Sequence, residues 1–206
     1  MNREEFIIPR DMDEITAEPD HQRREVKRSA ITTYRKEEKL SVGDPVPKLK
    51  LERFEETGPV PLSHLDSRPA VLIFGSYTWP PFRRRSGDLQ QFFNDYSDLA
   101  HFYIVYIAEA HSVNEWQTES NEEAGIRIRQ HETVQERLAA AQLCSEKLSL
   151  TVPILVDGID NAAAEVFAAW PERIYILNKG KIHYKGGPGP YEFNPKESLM
   201  QLLNTP

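Results

Sequence analysis

The chain of 206 residues has a single cysteine, Cys144. That excludes an intrachain disulfide, a thiolate zinc cage and a CxxC redox pair. Surplus positive charge is also lacking: 25 Lys and Arg against 32 Asp and Glu give a net charge of −7. A dedicated nucleic-acid binder rests on neutralising phosphates, so no nucleic-acid partner is expected. Long apolar runs are missing as well. The uncharged stretch from Pro69 to Phe82 is 14 residues long and holds three prolines, whereas a membrane span needs roughly 20 apolar residues. The opening MNREEFIIPRDMDE lacks the apolar core and small-residue cleavage site of a signal peptide. The expectation is a cytoplasmic protein without a membrane span. His21, His64, His101 and His183 show no ligand-like spacing with one another or with acids, so no metal site is expected.

What is present is an ordinary globular composition, 39% hydrophobic and 28% charged, in a chain long enough to bury a core without staples. Residues 1–40 carry 10 acidic and 9 basic side chains, which reads as a charged, solvated N-terminal arm. Arg23 to Leu40 can be helical, but Val26, Ala30, Ile31 and Tyr34 make only a thin apolar stripe. The folded domain is expected over residues 41–206, opening at the proline-rich Val42-Gly-Asp-Pro-Val-Pro47.

Val71-Leu-Ile-Phe74 is a short apolar run that reads as a buried strand, and Phe102 to Ala108 reads as a second. Between them Leu89, Phe92, Phe93 and Tyr96 recur at helical spacing, which makes a right-handed βαβ unit. Val134, Leu138, Ala141 and Leu148 mark a long helix, Val152 to Val156 a third strand, and Ala162 to Ala169 a short helix capped by Asn161. Lys179-Gly180 between two apolar segments is a hairpin signal. Asn194-Pro195-Lys-Glu197 has the cap, proline and glutamate of a helix start. This order is what an α/β, thioredoxin-like fold with a central mixed sheet flanked by helices requires.

In such a fold the site lies where the first βαβ strand turns into its helix, here Phe74-Gly75-Ser76-Tyr77-Thr78-Trp79-Pro80-Pro81-Phe82. A helix N-terminus favours a thiolate or selenolate, and this chain has Trp79. The loop resembles that of the iodothyronine deiodinases, FGS-x-T-U-PPF, where U is selenocysteine or, in some relatives, cysteine. The resemblance continues through Ile107-Ala-Glu109-Ala-His111, Trp116, Gln130-His131, Glu136-Arg137-Leu138-Ala-Ala-Ala-Gln142, Asp160-Asn161-Ala162, Pro171-Glu172-Arg173-Ile-Tyr175, and Tyr184-Lys185-Gly186-Gly187-Pro188-Gly189-Pro190. The N-terminal segment of the domain also looks like the start of peroxiredoxin-like domains.

The resemblance implies an oxidoreductase that removes iodide from iodothyronine-like aromatic substrates with a thiol reductant, and no bound cofactor. The implied catalytic group is Trp79 at the nucleophile position, with Glu109, His111, His131 on the following helix, and Glu172. Ser76, Tyr77, Thr78, Pro80, Trp116, Trp170 (usually Tyr in the family) and Pro171, expected to be cis, would surround the substrate. The implied partners are a small aromatic ligand and a thiol donor such as glutathione or a thioredoxin-type protein, with a homodimer left open. Two departures bear on activity. Trp79 has no nucleophilic atom, and Tyr77 stands where vertebrate members have cysteine. Cys144 reads as a buried small hydrophobe. A single base separates a Trp codon from one for cysteine or selenocysteine. The alternative reading is a catalytically inactive member that binds an aromatic ligand or a protein. Peroxide reduction fails on the same missing nucleophile.

Overall fold

The computed structural model of the chain describes residues 9–54, 58–65 and 68–204. Five strands form the central sheet: β3 (Ala70–Gly75), β4 (His101–Tyr106), β5 (Ile154–Val156), β6 (Arg173–Asn178) and β7 (Lys181–Lys185). Their order is β5-β4-β3-β6-β7. β3, β4 and β5 run parallel, while β6 is antiparallel to β3 and β7 to β6. This mixed sheet is the thioredoxin-like arrangement expected from the element order. A separate two-residue ladder joins β1 (Lys50–Leu51) and β2 (Val60–Pro61).

Sequence explains each element. All six residues of β3 are buried, as expected for a strand covered on both faces. Helix α3 (Pro80–Tyr96) starts with two prolines in its first turn, where their missing N–H groups cost nothing, and buries Pro81, Phe82, Ser86 and Leu89. A Cβ on Gly75 would overlap the Phe82 ring, so glycine lets α3 pack tightly across the end of β3. After the short α4 (Glu119–Glu123), helix α5 (Val134–Leu148) opens with a capping box between Thr133 and Glu136. Lys179 and Gly180 both have positive φ, 50° and 75°, the geometry of a tight primed turn. In α7 (Pro195–Leu203) the Asn194 side chain accepts from Glu197 N–H.

Several boundaries differ from the sequence reading. β4 ends at Tyr106 and β5 begins at Ile154, because the expected flanking residues leave the ladder. Asn161 does not cap α6 (Ala162–Val166): its φ is 56° and its side chain makes no cap bond. The Asp157 carboxylate accepts from Ala163 and Ala164 N–H instead, at 3.0 and 2.8 Å.

Residues 9–40 depart from the solvated arm expected, of which residues 1–8 lie outside the described residues. They form α1 (Pro9–Ala17) and α2 (His21–Tyr34), and Ile15 and Ile31 are fully buried. The anchor is polar. Arg35 makes a bidentate pair with Asp11 at 2.9 and 3.1 Å and donates to the carbonyls of Trp170 (2.9 Å) and Gly189 (3.4 Å). Tyr34 stacks on Trp170 at 5.6 Å. A charge count misses this docking because Arg35 and Asp11 neutralise one another inside the protein.

Strand register sets the place where chemistry can occur. Gly75 is level with Tyr106, and Phe74 with Arg173. Residues 76–79, residues 107–111 and the segment before Arg173 therefore emerge together at one end of the sheet.

Candidate functional site

Trp79 is the N-cap of α3, 8% exposed, with its N–H on the Ser76 carbonyl at 3.2 Å. Its indole lies 5.2 Å from the His111 ring, and His111 meets the edge of Trp116 at 4.3 Å. The indole N–H also favours the charged form of Glu172, although neither Nε1 nor Glu172 Oε2 closes a hydrogen bond among the described residues. His111 and Glu172 thus lie beside residue 79, with Trp116 packed on His111.

Beneath that position lies a polar chain built on Glu109, which is fully buried. Its Oε2 accepts from Thr78 N–H at 3.0 Å and from the Thr78 hydroxyl at 2.5 Å, and its Oε1 accepts from Tyr106 O–H. His131 Nε2 is 3.5 Å from Oε1. Burial opposes the charge of Glu109, but His131, Thr78 and Tyr106 together hold its carboxyl below the usual value. Arg137 Nε–H donates to His131 Nδ1 at 3.3 Å, which leaves the ring proton on Nε2, directed at Glu109. Arg137 is itself held by the Gly158 carbonyl at 2.6 Å.

His131 is not on the following helix, as the sequence reading had it. It precedes Thr133, the N-cap of α5, and is buried, because the capping box turns the chain inward there.

His111 donates from Nδ1 to the Trp116 carbonyl at 3.0 Å, so its Nε2 carries a lone pair. Burial, aided by Arg83 and Lys27, pushes its pKa down to about 4. At pH 7 it is a neutral acceptor. Glu172 has the opposite character. Burial pushes its carboxyl up to about 7, against the pull of Trp79, Arg85 and Arg84. A carboxyl poised near neutral pH beside residue 79 is a proton donor of suitable strength.

The remaining expected residues are supports. Ser76 Oγ accepts from Ala110 N–H at 3.2 Å, and Tyr77 N–H donates to Tyr106 Oη at 3.1 Å. Pro80 opens α3, and the Trp170–Pro171 bond is cis as expected. Arg83 holds the Tyr77 carbonyl (2.6 Å) and Asn121 Oδ1 (2.7 Å), while Arg85 pairs with Glu172 Oε1 at 3.2 Å. These arginines bind the protein itself. Cys144 lies fully buried, and burial raises its thiol pKa.

Sequence reasoning missed Tyr106, Gln130, Arg137 and Gly189 as parts of the site. Gln130 brackets the Glu109 backbone, accepting from its N–H at 2.9 Å and donating to its carbonyl at 3.1 Å. A Cβ at Gly189 would overlap Glu172 Cγ, so the glycine-rich turn is the wall behind Glu172. Gln130 and Gly189 meet the site from distant segments, whereas Tyr106 and Arg137 lie within three and six residues of Glu109 and His131, at spacings that mark no strand or helix face.

Solved structures similar to this one include a secreted disulfide oxidoreductase of Mycobacterium tuberculosis, with a TM-score of 0.51 and 13% identity over 77% of this chain and 96% of that one. A thioredoxin-like protein in the oxidized form has a TM-score of 0.53 and 17% identity over 81% of this chain and 100% of that one. These establish the thioredoxin-like fold. In sequence, the chain is similar to the type I iodothyronine deiodinase of Xenopus laevis, 43% identical over 66% of this chain and 52% of that protein. It is also similar to the thyroxine 5-deiodinase of Gallus gallus, 36% identical over 76% of this chain and 60% of that protein. The chain therefore spans little more than half the length of these relatives. The family description "Iodothyronine deiodinase" matches residues 27–204, a span that takes in most of α2, the residue-79 turn, both buried histidines and the cis-proline segment. By sequence over that span, the chain belongs to the iodothyronine deiodinase family.

Proposed function

We propose that this chain holds a deiodinase-type site for iodothyronine-like aromatic rings, and that with tryptophan at position 79 it binds such rings without turning them over. The observation that carries this reading is the Trp79 side chain. It stands at the nucleophile position, at the start of α3 and beside His111 and Glu172, yet offers only an indole N–H.

With cysteine or selenocysteine at position 79, the same surroundings support reductive dehalogenation. The α3 N-terminus and the arginines of its first turn favour the thiolate or selenolate. That anion takes the iodine from the ring, the ring carbon takes a proton, and two thiols then reduce the residue–iodine bond and release iodide. Glu172 is the group placed to give the proton, and neutral His111 can accept a hydrogen bond from a substrate hydroxyl. The co-substrate is a thiol donor, glutathione or a thioredoxin-type protein, and no bound cofactor is required. Cys144 cannot supply the nucleophile because it is buried on α5.

Binding is tested by titrating the protein with thyroxine and following tryptophan fluorescence. Saturable quenching, weakened by His111→Ala, supports the reading. A flat titration to the solubility limit of the ligand overturns it.

A further inference from the structure

Ser76 to Trp79 form a tight turn, closed by the Trp79 N–H on the Ser76 carbonyl at 3.2 Å. Its two central N–H groups are held by β4 and the segment after it: Tyr77 N–H by Tyr106 Oη at 3.1 Å, and Thr78 N–H by Glu109 Oε2 at 3.0 Å. The two central carbonyls need donors as well. Arg83 Nη1 donates to the Tyr77 carbonyl at 2.6 Å, and Asn121 Nδ2 donates to the Thr78 carbonyl at 2.9 Å. These donors are themselves joined, since Arg83 Nη2 donates to Asn121 Oδ1 at 2.7 Å.

The neighbours fix the sense of the Asn121 amide. A guanidinium only donates and a carbonyl only accepts, so Oδ1 faces Arg83 and Nδ2 faces Thr78. Asn121 is fully buried on α4, and its own N–H and carbonyl are bound to Thr118 and Ile126 at 3.1 and 2.8 Å. The Tyr77 ring lies 5.7 Å from the guanidinium carbon of Arg83. Residue 79, which follows these two carbonyls, is the N-cap of α3. Pro80 and Pro81 carry no N–H, so the first helix donor open to a side chain at that cap is Phe82 N–H. A single donor tolerates little misplacement, because hydrogen bonds weaken steeply with angle.

We propose that Arg83 and Asn121 are positioning residues for position 79: as one clamp on the carbonyls of Tyr77 and Thr78, they aim the residue-79 side chain along the α3 N-terminus. The inference rests on position 79 being the reacting position of the site, and it gives Arg83 a role that charge alone does not fill. A lysine would carry the charge, but only the planar fork of arginine reaches the Tyr77 carbonyl and Asn121 together.

The test follows alkylation of the full-length Trp79→Cys chain by iodoacetamide against pH, read from the mass of the peptide that holds position 79. The midpoint of that profile should lie below the ordinary thiol value of about 8.5. Arg83→Lys keeps the charge and removes the fork, while Asn121→Leu keeps about the same volume and removes both hydrogen bonds. Added to Trp79→Cys, each should raise the midpoint by about one pH unit, the size of one charge-assisted hydrogen bond. The two together should raise it no further, because each partner holds the other in place. Cys144, buried in the core, should stay unreactive throughout. The readout uses no iodothyronine, so a failed clamp is told apart from a failed dehalogenation reading, which iodide release reports. A midpoint left in place by either folded variant, a double variant that moves it by the sum of the two, or alkylation of Cys144 rising in step would each overturn the proposal.

Discussion

Replacing Glu172 by glutamine should change how stability depends on pH. The carboxyl is fully buried, with Arg85 on one oxygen and no hydrogen-bond partner on the other among the described residues. Its pKa rises from 4.5 to about 7 on folding. Below pH 4.5 both folded and unfolded forms are protonated and the group costs nothing. As pH rises, the unfolded chain releases the proton first, so stability falls until pH passes about 7. The loss amounts to about 3 kcal/mol. His111 works in the opposite sense over an overlapping range. Its pKa falls from 6.5 to about 4, so the stability of its neutral form is fully present above pH 6.5 and is lost as pH falls towards 4, again by about 3 kcal/mol. The two contributions oppose one another, and the native protein should show little net slope from this pair between pH 4.5 and 6.5. Glu172→Gln removes one of them. Urea unfolding of both proteins at pH 4.5, 6 and 8 should show the variant gaining about 3 kcal/mol relative to the native chain from the lowest to the highest pH. A difference that stays constant across these three values would refute a raised Glu172 carboxyl and, with it, the assignment of Glu172 as proton donor.

Two further perturbations probe how the site is held. Arg35→Ala leaves Asp11 buried and unpaired and frees the carbonyls of Trp170 and Gly189; unfolding should show a loss of about 3–5 kcal/mol, and amide exchange in α1 and α2 should accelerate. An effect below about 0.5 kcal/mol, the range of exposed surface changes, would mean that residues 9–40 are not anchored there. Gly189→Ala forces a Cβ onto the Glu172 side chain and should cost about 1–3 kcal/mol. It should also move the Glu172 titration followed by 13C-glutamate NMR, which a purely distant change would leave alone.

Much of the fold is legible because its signals are local. The apolar run at Val71, the helical spacing of Leu89, Phe92 and Phe93, the Lys179-Gly180 turn and the Asn194 cap each act within a few residues. The docked arm is not legible, since its apolar stripe is thin and its anchor joins Asp11 to Arg35 and to the carbonyls of Trp170 and Gly189. At the site, Trp79, Glu109, His111, His131 and Glu172 can be picked out through the family resemblance, but their states cannot. That His111 is neutral and Glu172 easily protonated follows from burial, and burial depends on the whole sheet. Tyr106 and Arg137 escaped for a related reason: within their own elements they look like an ordinary strand aromatic and a helix-surface cation. Only the turns after β4 and before α5 direct them to Glu109, three residues on, and His131, six residues back.

The central claim is that a deiodinase-type site surrounds position 79 and lacks only its nucleophile. It is tested most directly by iodide release from thyroxine by Trp79→Cys in the presence of dithiothreitol, beside the native chain and Trp79→Ser. Replacing the indole opens space at a cost of about 3–5 kcal/mol, so folding is checked first and thyroxine should stabilise the cysteine variant. The account predicts iodide release by the cysteine variant alone, diminished when Glu172→Gln is added. A folded Trp79→Cys protein that binds thyroxine and releases no iodide would contradict it.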